Sequence, residues 1–214
     1  TFQVEDQQLR VAAPYHTYER IVLPTSGGYQ WRNAAVAIAA VDVLAQRYHK
    51  RLTTEIINSA LAEVALPGRM EVVQERPLVI LDGAHNPHKM AALAQTMEQL
   101  HPQKQITAIV GAILSKEIVP MLAELAPIVS QFVVTQPFVP GKPAWSPEDL
   151  EAELVKLTAK PVHTAATIAE ALEIAFQVTD EADLILTTGS LYLVGEARGN
   201  WYPTEQLVRD AEVN

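Results

Sequence analysis

Asp82-Gly83-Ala84-His85-Asn86-Pro87 puts a carboxylate, an imidazole and a helix start within a few positions. The segment follows Leu78-Val79-Ile80-Leu81, a short apolar run that reads as a buried strand. Asn86 can cap the helix that follows, and Pro87 suits its first position. Asp82 and His85 then sit at the carboxyl end of a parallel strand, where open α/β sheets bind ligands. A helix N-terminus beside them favours an anion. The competing reading is a capped turn with an incidental histidine, although an Asp and a His together exceed what a turn needs.

Other residues invite the same two-sided reading. Arg69 follows Pro67-Gly68 and opens a strand. At a domain junction it could clamp phosphate through its planar fork, or simply pair with a surface acid. Ser190 follows Gly189 at a second strand-to-helix junction. It could cap that helix, or bind a carboxylate together with the helix amides. Asn33 is polar where a helical stretch turns apolar, with Gln30 one turn before it. Capping or a core hydrogen bond competes there with a contact to the edge of a purine. Some chemistries are absent. The sequence has no Gly-x-x-x-x-Gly-Lys-[Ser/Thr] and no Gly-x-Gly-x-x-Gly. It has no His-x-x-x-His pair, and His85 and His88 flank Pro87, a weak arrangement for a metal. No metal ligands are expected within this chain.

The elements that must carry these residues fall into two groups. Residues 1–24 alternate apolar and polar in short runs and predict two or three antiparallel strands. Thr25-Ser26-Gly27-Gly28 reads as a turn. Gln30 to Tyr48 reads as a helix, apolar all round from Ala34 to Val41 and therefore expected to be buried among neighbours. A second helix starts at Thr53-Thr54-Glu55 and is expected to run to about Ala65. Beyond Leu66-Pro67-Gly68 the character changes to apolar strands alternating with amphipathic helices. Expected strands are 70–73, 78–81, 106–110, 132–135, 161–163 and 184–187. Expected helices are 87–100, 116–126, 147–158, 168–177 and 191–197. The pattern predicts an α/β fold: a Rossmann-like, mostly parallel sheet with helices on both faces. The expected domains are 1–66 and 67–214. The first, with few strands and two helices, reads either as the remnant of a larger domain or as a subdomain packed on the α/β unit.

Composition narrows the function. The chain has 214 residues, 49% hydrophobic and 19% charged, enough for a sizeable core. A net charge of −9 argues against non-specific nucleic-acid binding. The absence of cysteine removes disulfides, thiolate metal sites and a cysteine nucleophile. The longest apolar run, Ala34 to Val41, is far short of the roughly 20 residues a membrane-spanning helix needs. A cytoplasmic protein without membrane or nucleic-acid partners is expected.

Three motifs taken in order resemble one family. Leu66-Pro67-Gly68-Arg69-Met70-Glu71, Asp82-Gly83-Ala84-His85-Asn86-Pro87 and Thr188-Gly189-Ser190-Leu191-Tyr192-Leu193-Val194-Gly195-Glu196 are similar to folylpolyglutamate synthase / dihydrofolate synthase of the Mur ligase superfamily. Gln30-Trp31-Arg32-Asn33-Ala34-Ala35 resembles the family's Gln-x-x-Asn-Ala-Ala segment. Tyr29, Lys116-Glu117 and Lys142-Pro143 depart from the family's usual residues. The resemblance implies an ATP-dependent ligase that joins L-glutamate to a folate or dihydropteroate through an acyl phosphate, with ATP and Mg²⁺ required. It implies that Asn33, Arg69 and Asp82 contact the nucleotide, that His85 and Ser190 face the glutamate, and that Asp82 and His85 are catalytic. It further implies that residues 1–66 are the end of the central ATPase domain. The P-loop and the metal ligands would then lie in a preceding half absent from this chain, which alone would be an inactive monomer. A self-standing, non-catalytic binding domain and another amide ligase of the superfamily remain the alternatives.

Overall fold

Period-two burial builds the first unit. Leu9 and Val11 are buried while Gln8 and Arg10 are exposed, so one face of their strand can pack and the other stays wet. In the computed structural model, which describes residues 1–24 and 28–203, this strand is the middle of three. The strands β1 (Phe2–Glu5), β2 (Gln8–Ala12) and β3 (Thr17–Ile21) pair antiparallel in that order. Asp6 and Gln7 both adopt positive φ (49° and 60°), the backbone that closes a two-residue hairpin. Helices α1 (Gly28–Arg47) and α2 (Thr54–Ala62) complete the unit. Its core joins Leu9, Val11, Tyr18 and Ile21 to Trp31, Ala34, Ala35 and Ile38 of α1 and Ile57 of α2. Of the expected turn Thr25-Ser26-Gly27-Gly28, the first three residues lie outside the described residues, and Gly28 opens α1 instead. Thr53 caps α2 by accepting from the Ile56 amide at 3.3 Å, but the helix stops at Ala62, short of the expected Ala65.

The expectation that α1 is buried all round is corrected. Gln30, Trp31, Ala34, Ala35, Ile38 and Asp42 are buried, whereas Val36 is 65% exposed and Ala40, Val43 and Leu44 are also exposed. The physical reason is a shortage of partners: within this unit a three-stranded sheet and one short helix can cover only one side of a long helix. Asp42 lies on the covered side. It accepts from the Tyr15 amide (2.8 Å) and the Tyr18 hydroxyl (2.7 Å), and its other contact is His16 Nδ1 (2.8 Å). These partners, rather than depth in the unit, close it off from solvent. Burial would raise its pKa, but the hydrogen bonds from Tyr18, His16 and the Tyr15 amide prevail and hold the carboxyl below its ordinary range. The Tyr18 hydroxyl is pushed up to about 12 by burial and then by Asp42.

The chain divides into two compact units between Leu66 and Pro67. Among the described residues the second holds six strands: β4 (Glu71–Glu75), β5 (Leu78–Leu81), β6 (Ile106–Val110), β7 (Gln131–Val134), β8 (Val162–Thr164) and β9 (Leu184–Thr188). Their order is β4-β5-β9-β6-β7-β8. Only β4 runs antiparallel to its neighbour. The helices are α3 (Pro87–Leu100), α4 (Ile118–Leu125), α5 (Pro147–Leu157), α6 (Ile168–Val178) and α7 (Leu191–Arg198). Helices α3, α4 and α5 pack in sequence on one face, and α6 and α7 share the other. The α6–α7 face buries Val79, Leu81, Ile109, Val133 and Ile185 against Leu172, Leu193 and Val194. Each such side chain contributes about 1.5–3 kcal/mol when taken from water. Alternate residues such as Ile80, Ala108 and Phe132 serve the opposite face. The expected strands and helices form within a few residues of their predicted bounds. Helix α4 starts at Ile118 rather than Lys116, with Pro120 accommodated in its first turn. Among the described residues no helix is long and apolar enough to cross a membrane.

Candidate active site

The chain returns from β8 to insert β9 between β5 and β6, and this reversal makes β5 and β9 the switch point at which sheets of this kind form a crevice. The helices that follow the neighbouring strands β5 and β9 leave to opposite faces, so the strand ends between them stay open. The two loops singled out by sequence are therefore adjacent. They are also stitched together: the Asp82 amide donates to Thr187 O (3.0 Å), and the Gly189 amide donates to Ala84 O (3.0 Å). Gly189 has φ +102°, and a Cβ there would stand 2.8 Å from Gly111 O, so both conformation and space require glycine.

The segment Gly68–Met70 forms a third wall. The Gly83 amide donates to Gly68 O at 2.8 Å, and the Met70 amide donates to Asp82 Oδ2 at 3.0 Å. The Ala84 amide donates to Asp82 Oδ1 at 2.9 Å. The buried Asp82 carboxylate thus ties the wall carrying Arg69 to the loop carrying His85. Arg69 itself is half-buried and makes only a long contact, Nη1 to Gly68 O at 3.4 Å. It has no acidic partner among the described residues. A guanidinium left this way keeps its planar fork available to an anion.

His85 is half-buried, with Nδ1 2.7 Å from Gly83 O. A carbonyl only accepts, so Nδ1 carries the hydrogen. The neutral ring then presents Nε2 as an acceptor, 3.4 Å from Lys89 Nζ. That nitrogen can take a proton or accept from an ammonium group. Asn86 caps α3 through the Lys89 amide (2.9 Å), and Pro87 occupies the first helical position. Ser190 is buried and caps α7, accepting from the Tyr192 amide at 3.2 Å. Two helix N-termini therefore open on the crevice with their remaining amides. Arg69, Asp82, His85 and Ser190 are gathered in the second unit. Asn33 belongs to the first, exposed on α1, with Nδ2 donating to Gln30 Oε1 at 3.1 Å.

Sequence reasoning missed a set of polar groups at the same strand ends. Thr135, Thr187 and Thr188 are fully buried, and among the described residues their Oγ1 atoms have no hydrogen-bond partner, nor has Trp145 Nε1. Unsatisfied buried donors are uncommon and mark places where a ligand or ordered water completes the structure. The signal was a hydroxyl ending each otherwise apolar run, Val133-Val134-Thr135 and Leu186-Thr187-Thr188. Nearby, Lys142 Nζ donates to the Tyr192 hydroxyl at 2.5 Å and lies 4.7 Å over its ring. Among the described residues no group of three His, Asp or Glu could hold a metal ion.

Residues 68–191, which contain Arg69, Asp82, His85 and Ser190, match the model of the Mur ligase glutamate ligase domain. The chain belongs to the Mur ligase family. Within that family it is 32% identical over 197 residues to the folylpolyglutamate synthase of Lacticaseibacillus casei, covering 92% of this chain and 42% of that protein. The folylpolyglutamate synthase of Mycobacterium tuberculosis, solved in complex with ADP and AMPPCP, superposes with a TM-score of 0.82 at 27% identity, over 94% of this chain and 47% of that one. A bifunctional folylpolyglutamate synthase/dihydrofolate synthase with Mn, AMPPNP and L-glutamate bound gives a TM-score of 0.73 at 25% identity, over 93% and 45%. The chain spans less than half the length of the curated relatives it matches.

Proposed function

We propose that this chain is the C-terminal portion of an ATP-dependent ligase that joins L-glutamate to a folate or dihydropteroate. The observation that carries the reading is the crevice between β5 and β9, where an Arg without an acidic partner among the described residues, a histidine whose Nε2 is an acceptor and two helix N-termini stand at adjacent strand ends. In such a reaction a substrate carboxylate attacks the γ-phosphorus of ATP, giving an acyl phosphate and ADP. The glutamate amine then attacks the acyl carbon, and inorganic phosphate leaves. Arg69 neutralises charge on the phosphate oxygens. Asp82 holds the Arg69 wall against the His85 loop and is assigned to the nucleotide through the resemblance of its segment. His85 Nε2 accepts the proton that the glutamate ammonium must lose before it can attack. Ser190 and the α7 amides hold a glutamate carboxylate.

The nucleotide finds a matching group here in Arg69. Mg²⁺ does not: with no acidic or histidine cluster among the described residues, its ligands and the phosphate-cradling loop are assigned to a preceding half. The exposed apolar stripe Val36, Ala40, Val43 and Leu44 of α1 supports that assignment, because a larger ATP-binding domain would cover it. Asn33 is assigned to the adenine through the resemblance of its segment. The proposed enzyme is monomeric and cytoplasmic, and its partners are ATP, L-glutamate and the pterin substrate. The test is ADP formation by the full-length protein that depends on both L-glutamate and a folate, with the glutamylated product identified by mass. Glutamate-independent ATP turnover, or turnover with a cell-wall precursor instead, would overturn the reading.

A further inference from the structure

The geometry points to Glu71 and Arg198 as a positioning pair that sets the direction of Arg69, an inference that rests on Arg69 being a nucleotide contact. Arg69 stands between two residues in the left-handed region, Gly68 at φ +64° and Met70 at φ +49°. A left-handed residue other than glycine persists only where its surroundings over-determine it. Both flanking amides are captured: the Met70 amide donates to Asp82, and the Gly68 amide donates to Glu71 Oε2 at 2.8 Å. Asp82 is fixed by its strand end. Glu71 is fixed by Arg198, whose Nε donates to Oε1 at 2.9 Å and Oε2 at 3.0 Å.

The ion pair is largely shielded, with side chains only 18% and 16% exposed. The Arg198 guanidinium rests 4.1 Å over the Tyr202 ring. Gly68 is also pressed against α7, since a Cβ there would meet Val194 Cγ1 at 2.7 Å. One helix thus offers its first turn to the crevice through Ser190 and holds the Arg69 wall through its last turn. Arg69 makes no ion pair among the described residues, so its direction comes from these backbone ties. Neither Glu71 nor Arg198 needs to touch a substrate to act on the reaction.

A double-mutant cycle in the full-length ligase tests this. ATP saturation is measured for Arg69→Ala, Glu71→Ala and the double variant, with Arg198→Lys as a milder perturbation of the same pair. The expected result is an ATP KM raised about fivefold or more by Glu71→Ala, with a smaller change in kcat. Adding Glu71→Ala to Arg69→Ala should change the KM no further, because the effect passes through Arg69. Arg198→Lys should raise the KM less, in the same direction. In the 214-residue chain, amide hydrogen exchange at Gly68 should quicken in Glu71→Ala and in Arg198→Lys. Additive effects in the cycle, or a normal KM in the Glu71 and Arg198 variants while Arg69→Ala raises it, would overturn the positioning role. So would unchanged exchange at Gly68. If Arg69→Ala itself leaves the KM unchanged, the nucleotide reading falls and takes this inference with it.

Discussion

A methyl group added at Gly83 would land 2.2 Å from Leu191 Cδ2, 2.6 Å from Leu191 Cγ and 2.7 Å from Arg69 Nη1. Carbon atoms in ordinary contact stand about 3.5–4.0 Å apart. Leu191 must therefore retreat by roughly 1 Å or more, and the Arg69 fork must turn aside. The two movements have different consequences. Leu191 is 42% exposed at the start of α7, so it can swing to another rotamer at about 0.5–1.5 kcal/mol. The backbone of Gly83 lies outside the left-handed region, so alanine adds no conformational strain. A loss of about 1 kcal/mol lowers Tm by about 2–4 °C for a protein of this size.

Arg69 has less room, because the amides on either side of it are tied to Glu71 and Asp82. Only its side chain can yield, and the direction open to it is away from Gly83. Gly83→Ala in the proposed full-length ligase should therefore raise the ATP KM about tenfold while Tm falls only a few degrees. Adding Leu191→Ala clears the carbon overlap but not the one with Arg69, so the raised KM should persist. Recovery of a normal KM in that double variant would show that the methyl acts through α7 and not through Arg69. An unchanged KM together with an unchanged Tm in Gly83→Ala would refute the close approach on which the argument stands.

Other substitutions separate binding from support. Ser190→Asp keeps a capping oxygen for the Tyr192 amide but repels a carboxylate, so glutamate KM should rise with Tm nearly unchanged; a normal glutamate KM returns Ser190 to a cap alone. Asp82→Asn leaves one oxygen for two amides, Met70 and Ala84, and should cost about 1–3 kcal/mol in urea denaturation, alongside a loss of turnover. Asp42→Ala strands the Tyr18 hydroxyl and the Tyr15 amide and should cost about 3 kcal/mol, followed through Trp31 in the same core. Because the Asp42 pKa is lowered on folding, its stabilisation is present above the unfolded value of about 3.9 and is lost as pH falls through the folded one; Asp42→Asn should lack that acid slope in stability against pH.

The strand-end loops were legible because their signals are local. Asn86, Pro87 and Ser190 announce helix starts within a few residues, and each cap forms as its type requires. Ser146 and Thr167 cap α5 and α6 in the same way, accepting from the Asp149 and Glu170 amides. The place of β9 between β5 and β6 was not legible, since an apolar run states that a strand is buried but not beside which strands. Helix α1 failed for a related reason: apolar residues on every side show what could be covered, whereas coverage depends on partners elsewhere in the chain. Asp42 looked like an interruption of an apolar run. Its partners His16 and Tyr18 lie 26 and 24 residues earlier, a separation no local spacing encodes. The one hint was its position a turn beyond Ile38 on the buried stripe. Glu71 and Arg198, 127 residues apart, left no sequence signal of their pairing.

The crevice divides its labour between backbone and side chain. Its three walls are joined by main-chain bonds, Gly83 N to Gly68 O, Asp82 N to Thr187 O and Gly189 N to Ala84 O. Such bonds survive most side-chain substitutions, so the opening keeps its shape while its chemistry is varied. Arg69 and the Nε2 edge of His85 spend little of their bonding capacity on the protein. Substitutions at these two should change function more than stability. Asp82 and Glu71 are committed to backbone amides on the Arg69 wall and should change both. A variant series in which Arg69 and His85 prove the more destabilising pair would mean that the crevice is held together by the very groups assigned to its substrates.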